Sequence, residues 1–131
     1  MKSNPNLVVK SDTTYYEHSR TWPSMFDIHK GSKILDIGCG RGNLGSYLQE
    51  KYSSEVTGLE IIEEHYQAAS QVLHNAYLGD IESMDISSLG SGYDYVIFSD
   101  SLEHMIDSES VLEQIKGLLS EEGRLLISMP N

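Results

Sequence analysis

The segment from Lys33 to Leu44, KILDIGCGRGNL, constrains the fold more than any other part of the chain. An apolar run, interrupted only by Asp36, ends in glycines at positions 38, 40 and 42, and a helical spacing of apolar residues follows. A strand, a glycine turn and a helix in this order form a ligand cradle at the carboxyl end of a parallel strand. Glycine suits such a turn because it adopts positive φ angles and lets a ligand approach the backbone. The turn amides and the positive end of the helix favour a polar or anionic ligand.

The spacing of the glycines distinguishes between classes of ligand. A dinucleotide fingerprint has the pattern G-x-G-x-x-G, and its third glycine would fall on Asn43. The segment instead has a carboxylate two residues before three alternating glycines. This motif, with the sequence Leu-Asp-Ile-Gly-Cys-Gly, resembles the first motif of the class I S-adenosylmethionine (SAM) methyltransferases. The resemblance implies a SAM site whose first residues are Asp36, Gly38, Cys39, Gly40 and Gly42.

Length and composition indicate one small domain that can bury a core. The chain has 131 residues with ordinary apolar and charged fractions. No apolar run approaches the length of a membrane span, and residues 1–5 lack the apolar core of a signal peptide. The single cysteine, Cys39, excludes an internal disulfide, and its place between two glycines predicts a packing residue rather than a nucleophile. We therefore expect a cytoplasmic protein without a membrane partner.

The net charge of -11 argues against a nucleic-acid partner. Between Lys51 and Lys116 the chain contains thirteen Asp and Glu residues but no Lys or Arg. A surface that follows a phosphate backbone needs a basic patch, and this composition cannot build one there. We expect the acidity to serve solubility. The alternative is that it favours neutral or cationic substrates.

Strand and helix patterns alternate along the rest of the chain. Strands are predicted at 34–37, 55–59, 76–78, 93–98 and 124–129, and helices at 43–52, 63–74 and from 107 to about 122. This alternation, with right-handed crossovers, predicts an α/β fold: a three-layer Rossmann-like sandwich with a parallel sheet in the order 3-2-1-4-5. Residues 1–31 are predicted to form an N-terminal arm and helices, and residues 32–131 the Rossmann-like core, of one SAM-binding methyltransferase domain.

The N-terminal region contains a predicted helix from about Thr13 to Thr21. Tyr16 and Arg20 are four residues apart and therefore lie on one face of this helix. In the methyltransferases that this chain resembles, the helix before the first strand covers the cofactor. The resemblance implies that Tyr16 and Arg20 reach the methionine carboxylate of SAM. The alternative is an amphipathic surface helix with Arg20 in solvent.

Acidic residues follow the second and third predicted strands. Glu60 ends the second strand, where a carboxylate accepts hydrogen bonds from both hydroxyls of a ribose; the alternative is a solvated charge. Ile61 or Ile62, next to it, is expected against the adenine, and we include Ile61 among the cofactor contacts. After the third strand, the resemblance assigns Asp80 to the adenine amino group and the Ile81 amide to the ring. Glu82 is a near neighbour that competes with Asp80 for this role.

The loop after the fourth strand faces the reacting methyl group in this family. It begins at Ser99, which we include among the cofactor contacts, and its candidates for chemistry are Asp100, Glu103 and His104. A neutral histidine has a pKa suited to removing a proton from a hydroxyl acceptor. The sequence Leu-Glu-His-Met resembles that of small-molecule O- and C-methyltransferases of the ubiquinone-biosynthesis type at this position. The alternative is that Glu103 and His104 pair with backbone at the start of a helix.

The same loop contains side chains that are able to bind a metal ion. Asp100, Glu103, His104 and Asp107 lie within eight residues, and oxygen ligands with one imidazole hold divalent ions. Nothing in their spacing demands an ion, so we expect no functional metal.

The chain ends after the fifth predicted strand, whereas family members continue to two more. We therefore expect a truncated form in which Leu125 to Ile127 make an exposed sheet edge, and self-association through that edge. The alternative is that a segment of the same chain covers this edge, for which Leu7-Val8-Val9, a short extended piece in the N-terminal arm, is one candidate. The predicted function is SAM-dependent methylation of a small-molecule acceptor, most simply at oxygen or carbon, although this fragment alone can be inactive. The alternatives are a SAM-binding domain without catalysis and, less favoured, an NAD-dependent oxidoreductase.

Overall fold

The computed structural model describes residues 7–11, 28–99 and 104–129, with the backbone alone at 7–11 and 128–129. The elements are β1 (Leu7–Ser11), β2 (Lys33–Ile37), α1 (Asn43–Tyr52), β3 (Glu55–Glu60), α2 (Glu63–Val72), β4 (Asn75–Leu78), a 3-10 turn (Ile86–Leu89), β5 (Tyr93–Ser99), α3 (Ser108–Lys116) and β6 (Leu119–Met129). Tyr16, Arg20, Asp100 and Glu103 lie outside the described residues.

The strands form a single parallel sheet in the order β1-β6-β5-β2-β3-β4. The five predicted strands are β2 to β6, and their order confirms the predicted 3-2-1-4-5 arrangement. β2 lies between β3 and β5, so the chain leaves it toward one edge of the sheet and later returns to the other edge. This reversal opens a crevice at the carboxyl ends of the central strands, which is where ligands bind in such sheets.

The sixth strand, β1, contains Leu7-Val8-Val9, the extended piece named above as a candidate to cover the edge at Leu125 to Ile127. It pairs in parallel with β6, with Leu7 opposite Leu125 and Val9 opposite Ile127. The backbone of Leu125 to Ile127 therefore has partners on both sides, from β5 and from β1. The predicted self-association assumed an unpaired edge at these residues, and that assumption does not hold in the structure.

Apolar residues cover both faces of the sheet because side chains alternate along each buried strand. Leu35 and Ile37 of β2 pack with the 3-10 turn and with Val111 and Ile115 of α3. Ile34 of β2 faces the other side, where it packs in one cluster with α1 and α2. The result is the expected three-layer sandwich. None of the helices in the described residues is long and apolar enough to cross a membrane.

α3 ends at Lys116, earlier than predicted. The Gly117 amide donates to the Gln114 carbonyl, and the Leu118 carbonyl accepts from the amide of Tyr93, so the chain has already turned toward the sheet. β6 then begins at Leu119, and its register against β5 is irregular before Arg124. The prediction failed because Leu118 and Leu119 continue the apolar helical spacing beyond the glycine that ends the helix.

Candidate cofactor site

A cavity of about 370 Å³ lies at the carboxyl ends of the central strands. Pockets for small molecules and cofactors have this size or more. Six of the residues predicted to bind the cofactor line it: Gly38, Glu60, Ile61, Asp80, Ile81 and Ser99. His104 also lines it, from the segment that follows β5. The fold therefore brings together residues from four chain segments that the sequence patterns had identified separately.

The glycine turn after β2 is tied to β3 by backbone hydrogen bonds. The amides of Gly38 and Cys39 donate to the Leu59 carbonyl at 2.9 and 3.0 Å. Gly38, Gly40 and Gly42 all have positive φ, at 76°, 58° and 91°. A Cβ on Gly40 would have nothing within 4 Å, so the turn presents open space there. This is the arrangement that a cradle for a ligand requires.

Glu60 connects the turn to the cavity. Its side chain is buried and lines the cavity, with one carboxylate oxygen accepting from the Gly40 amide at 2.8 Å and the other from the Ile62 amide at 3.0 Å. Each carboxylate oxygen has about two acceptor positions. Glu60 is thus held in place by the backbone and keeps acceptor capacity for the hydroxyl groups of a ligand.

Two buried side chains on β2 and β5 have polar atoms without partners among the described residues. They are the Asp36 Oδ1 atom and the Ser99 hydroxyl. Asp36 is 1 % exposed, and burial, followed by the charge of Glu60, raises the pKa of its carboxyl to about 7. Buried polar groups normally have partners, and exceptions often mark functional positions. Paired acids favour a positively charged ligand.

The raised pKa of Asp36 predicts a pH-dependent effect of Asp36→Asn. Between the ordinary pKa of 3.8 and the folded value of about 7, the unfolded chain ionises while the folded carboxyl keeps its proton. Wild-type stability is therefore lost progressively as the pH rises through this window. We expect the free energy of unfolding of Asp36→Asn, relative to that of wild type, to increase by about 2–4 kcal/mol from pH 4 to pH 8.

Urea unfolding of both proteins at pH 4 and pH 8 measures this difference. Asparagine brings its own buried amide, but that contribution is the same at both pH values and cancels. Glu109→Gln, at an exposed acid on α3, is the control and should show no such change. A free-energy difference between Asp36→Asn and wild type that is independent of pH would contradict the raised pKa.

Cys39 faces the core rather than the cavity. It is buried in one cluster with Leu44 and Leu73, and a Cβ placed on Gly58 would lie 2.6 Å from its sulfur. Burial, and then the charge of Asp36, raises the pKa of the thiol, which keeps it protonated and unreactive. This agrees with the predicted packing role, and it leaves only the backbone of Cys39 to contact a cofactor.

Asp80 and Glu82 both lie in the loop after β4 but make different hydrogen bonds. Asp80 lines the cavity, and its Oδ1 atom accepts from the Glu82 amide at 3.0 Å, which fixes the turn. The Glu82 carboxylate instead accepts from the amides of Ile106 and Asp107. The Glu82 carboxylate is therefore engaged with the segment that follows His104, whereas Asp80 accepts within its own turn. Ile81, between them, is buried at the cavity wall.

Gly79 and Met105 also line the cavity, although neither was predicted to do so. Gly79 precedes Asp80 and Met105 follows His104 in the chain. Their position next to a predicted residue was the signal in the sequence that they could line the cavity. Among the described residues, no group of three or more His, Cys, Asp or Glu side chains is placed to hold a metal ion. Because Asp100 and Glu103 lie outside those residues, the expected absence of a metal stays a prediction.

The donor set of the cavity fits SAM better than a dinucleotide. Among the residues that the structure describes, the lining contains three carboxylates, from Glu60, Asp80 and Glu82, and a hydroxyl without a partner, from Ser99. It includes no Lys or Arg from the described parts of the chain. Carboxylates suit the ribose hydroxyls and positive charge of SAM, whereas they would repel the pyrophosphate of NAD.

Comparisons with known proteins agree with this assignment. The family model described as a methyltransferase domain matches residues 28–131. The chain is 33% identical over 106 residues to the ubiquinone biosynthesis O-methyltransferase of Aeromonas salmonicida, covering 77% of this chain and 44% of the relative. It is 32% identical over 105 residues to an S-adenosyl-L-methionine-dependent Diels-Alderase of Talaromyces variabilis, covering 74% and 36%.

The crystal structure of a TehB-like SAM-dependent methyltransferase from Corynebacterium glutamicum matches with a TM-score of 0.70 and 26% identity. That match covers 84% of this chain and 60% of the solved chain. The chain spans less than half the length of both curated relatives named above. The crevice, its acidic lining and the match over residues 28–131 agree, and the chain belongs to the family of SAM-dependent methyltransferases.

Proposed function

We propose that this chain forms the cofactor half of a methyltransferase that transfers a methyl group from SAM to a small-molecule acceptor. The observation that carries the proposal is the position of Glu60. Its buried carboxylate is held by the Gly40 and Ile62 amides at the wall of the cavity. A carboxylate fixed at the end of the second core strand is positioned to hold a ribose diol.

In the proposed binding mode, the ribose lies at Glu60 and the adenine lies between Ile61 and the Asp80–Ile81 pair. The methionine part extends toward the glycine turn and Ser99. Tyr16 and Arg20 are proposed to meet its carboxylate. The Glu60 carboxylate at the cavity wall favours the positive charge that SAM carries over the neutral product, S-adenosylhomocysteine (SAH).

SAM supplies a methyl group activated by its positively charged sulfur. What the chain must do is bind the cofactor, keep the methyl group facing the acceptor and exclude water, since orientation accounts for much of the rate in such displacements. His104 lines the cavity, in the segment that follows β5. We propose it, with Asp100 nearby in the chain, as the candidate to take a proton from a hydroxyl acceptor.

The acceptor is proposed to be a small molecule that is methylated at oxygen or carbon. Support comes from the relative that is a ubiquinone biosynthesis O-methyltransferase, because its match covers 77% of this chain. The acidic composition supports the further expectation that nucleic acid is not a partner. Because the chain spans 44% of that relative, acceptor and activity are proposals for the whole protein.

A second candidate is a SAM-binding domain that does not transfer a methyl group. The observation favouring it is the relative from Talaromyces variabilis, which is a SAM-dependent Diels-Alderase with 32% identity. In that case the cofactor-binding residues would keep their roles, and His104 would not act as a base.

Thermal unfolding with added SAH or NADH tests the cofactor. SAH at about one hundred times its dissociation constant should stabilise the fold by about 2.7 kcal/mol, whereas NADH should leave the melting temperature unchanged. Protection by NADH alone would refute the proposal. Methyl transfer from labelled SAM to pools of small molecules, assayed with the longest available form of the protein, separates the two candidates: a labelled product favours the methyltransferase.

A further inference from the structure

Glu82 links two loops that border the cavity. It belongs to the loop after β4, and its Oε2 atom accepts from the amides of Ile106 and Asp107 at 2.9 and 3.1 Å. These amides follow His104 and Met105, which line the cavity, and they are 24 and 25 residues away in the chain. Hydrogen bonds to an ionised carboxylate are stronger than those between neutral groups.

Towards the cofactor side, Glu82 is anchored to the proposed adenine-binding acid. Its amide donates to Asp80 Oδ1 at 3.0 Å, and the Asp80 carbonyl accepts from the Ser83 and Met84 amides. The Gly79 amide donates in turn to the Glu60 carbonyl at 3.0 Å. A short run of hydrogen bonds therefore leads from the end of β3, through the loop after β4, to the Glu82 carboxylate.

Away from Asp80, the two amides lead into α3. Asp107 caps this helix by accepting from the Ser110 amide at 3.1 Å. The helix is fixed to the sheet through the buried side chains of Val111 and Ile115. The Ile106 side chain is 97% exposed, so the backbone of this segment is held by Glu82 and by the cap rather than by packing of Ile106.

We propose that Glu82 is a positioning residue that couples adenine binding at Asp80 to the placement of the His104–Met105 segment. A ligand that orders Asp80 also orders the backbone of Glu82, and through its carboxylate the start of the segment beyond His104. This inference rests on the proposed function, because the ligand is the same cofactor. It adds a role for an acid that lines the cavity and whose carboxylate accepts from the Ile106 and Asp107 amides.

Amide hydrogen exchange at Ile106 and Asp107, measured with and without SAH in the 131-residue chain, tests the coupling. In the wild type we expect slow exchange at both amides and further slowing with SAH. Glu82→Ala should accelerate exchange by roughly tenfold and abolish the response to SAH. Glu82→Gln retains a carbonyl oxygen that can accept the same bonds, so it should restore part of both effects. A role limited to general stability would not give this rescue.

Two controls isolate the carboxylate and its donors. Glu109→Gln removes an equal charge from the first turn of α3, at an exposed residue, and should change neither amide. Ile106→Pro removes one donor, and Ile106→Ala keeps it. The proline variant alone should accelerate exchange at Asp107.

Wild-type exchange rates in Glu82→Ala, or an equal effect of Glu109→Gln, would overturn the positioning role. If SAH binds to the wild type but neither amide responds, the coupling is wrong while the proposed function stands. If SAH does not bind to the wild type, the proposed function itself fails.

Discussion

Glu60→Ala is expected to weaken the binding of SAH by about 2–4 kcal/mol, because hydrogen bonds from the ribose to a charged acceptor are lost. The same substitution removes the acceptor of the Gly40 and Ile62 amides. The glycine turn then loses its side-chain link to β3, so part of the loss comes from a less ordered cradle. Titration calorimetry with SAH measures the total.

Glu55→Ala is the matched control for this prediction. Glu55 begins the same strand, is exposed, and lies at the opposite end from the cavity. Glu60→Gln keeps the size of the side chain and one acceptor oxygen, so its loss should lie between those of the control and the alanine variant. If Glu60→Ala binds SAH as wild type does, Glu60 does not belong to the site.

The second large effect is expected at Gly42, where a side chain would be strained and crowded. Its φ is 91°, and a Cβ there would lie 2.9 Å from Val72 Cγ2 and 3.3 Å from the Ala69 backbone. Gly42→Ala should lower the free energy of unfolding by about 2–4 kcal/mol, the sum of left-handed backbone strain and overpacking against α2. Urea unfolding monitored by circular dichroism measures the loss.

Gly40→Ala separates the two contributions. Gly40 has φ of 58°, but a Cβ there would meet nothing within 4 Å. Its stability cost should be about 1–2 kcal/mol, from backbone strain alone. Its effect on SAH affinity should exceed that cost, because the added methyl group occupies the open side of the cradle. Equal stability losses at Gly40 and Gly42 would contradict the packing role of Gly42.

The sequence alone determined the five core strands, their order and the position of the cradle. Patterns of period two and 3.6 are local properties, and a glycine turn after an apolar strand has few structural alternatives. Glu60 and Asp80 could be placed at the cavity because each lies within two residues of the end of a predicted strand, and the carboxyl ends of parallel strands meet at one edge. These inferences needed only neighbours in the chain.

The tertiary structure decided the contacts between distant segments. β1 pairs with a strand more than a hundred residues away. The sequence made its Leu7-Val8-Val9 piece a candidate to cover that edge, but its local pattern specifies neither the partner strand nor the parallel register. Glu82 and Asp80 are both acids after the same strand, and only their hydrogen bonds distinguish them. The Asp36 Oδ1 atom has no hydrogen-bond partner among the described residues, and this too is a result of which groups the folded chain places around it. Such pairings follow from how the whole sheet and its loops assemble, because a local pattern fixes the direction of a side chain but not its distant partner.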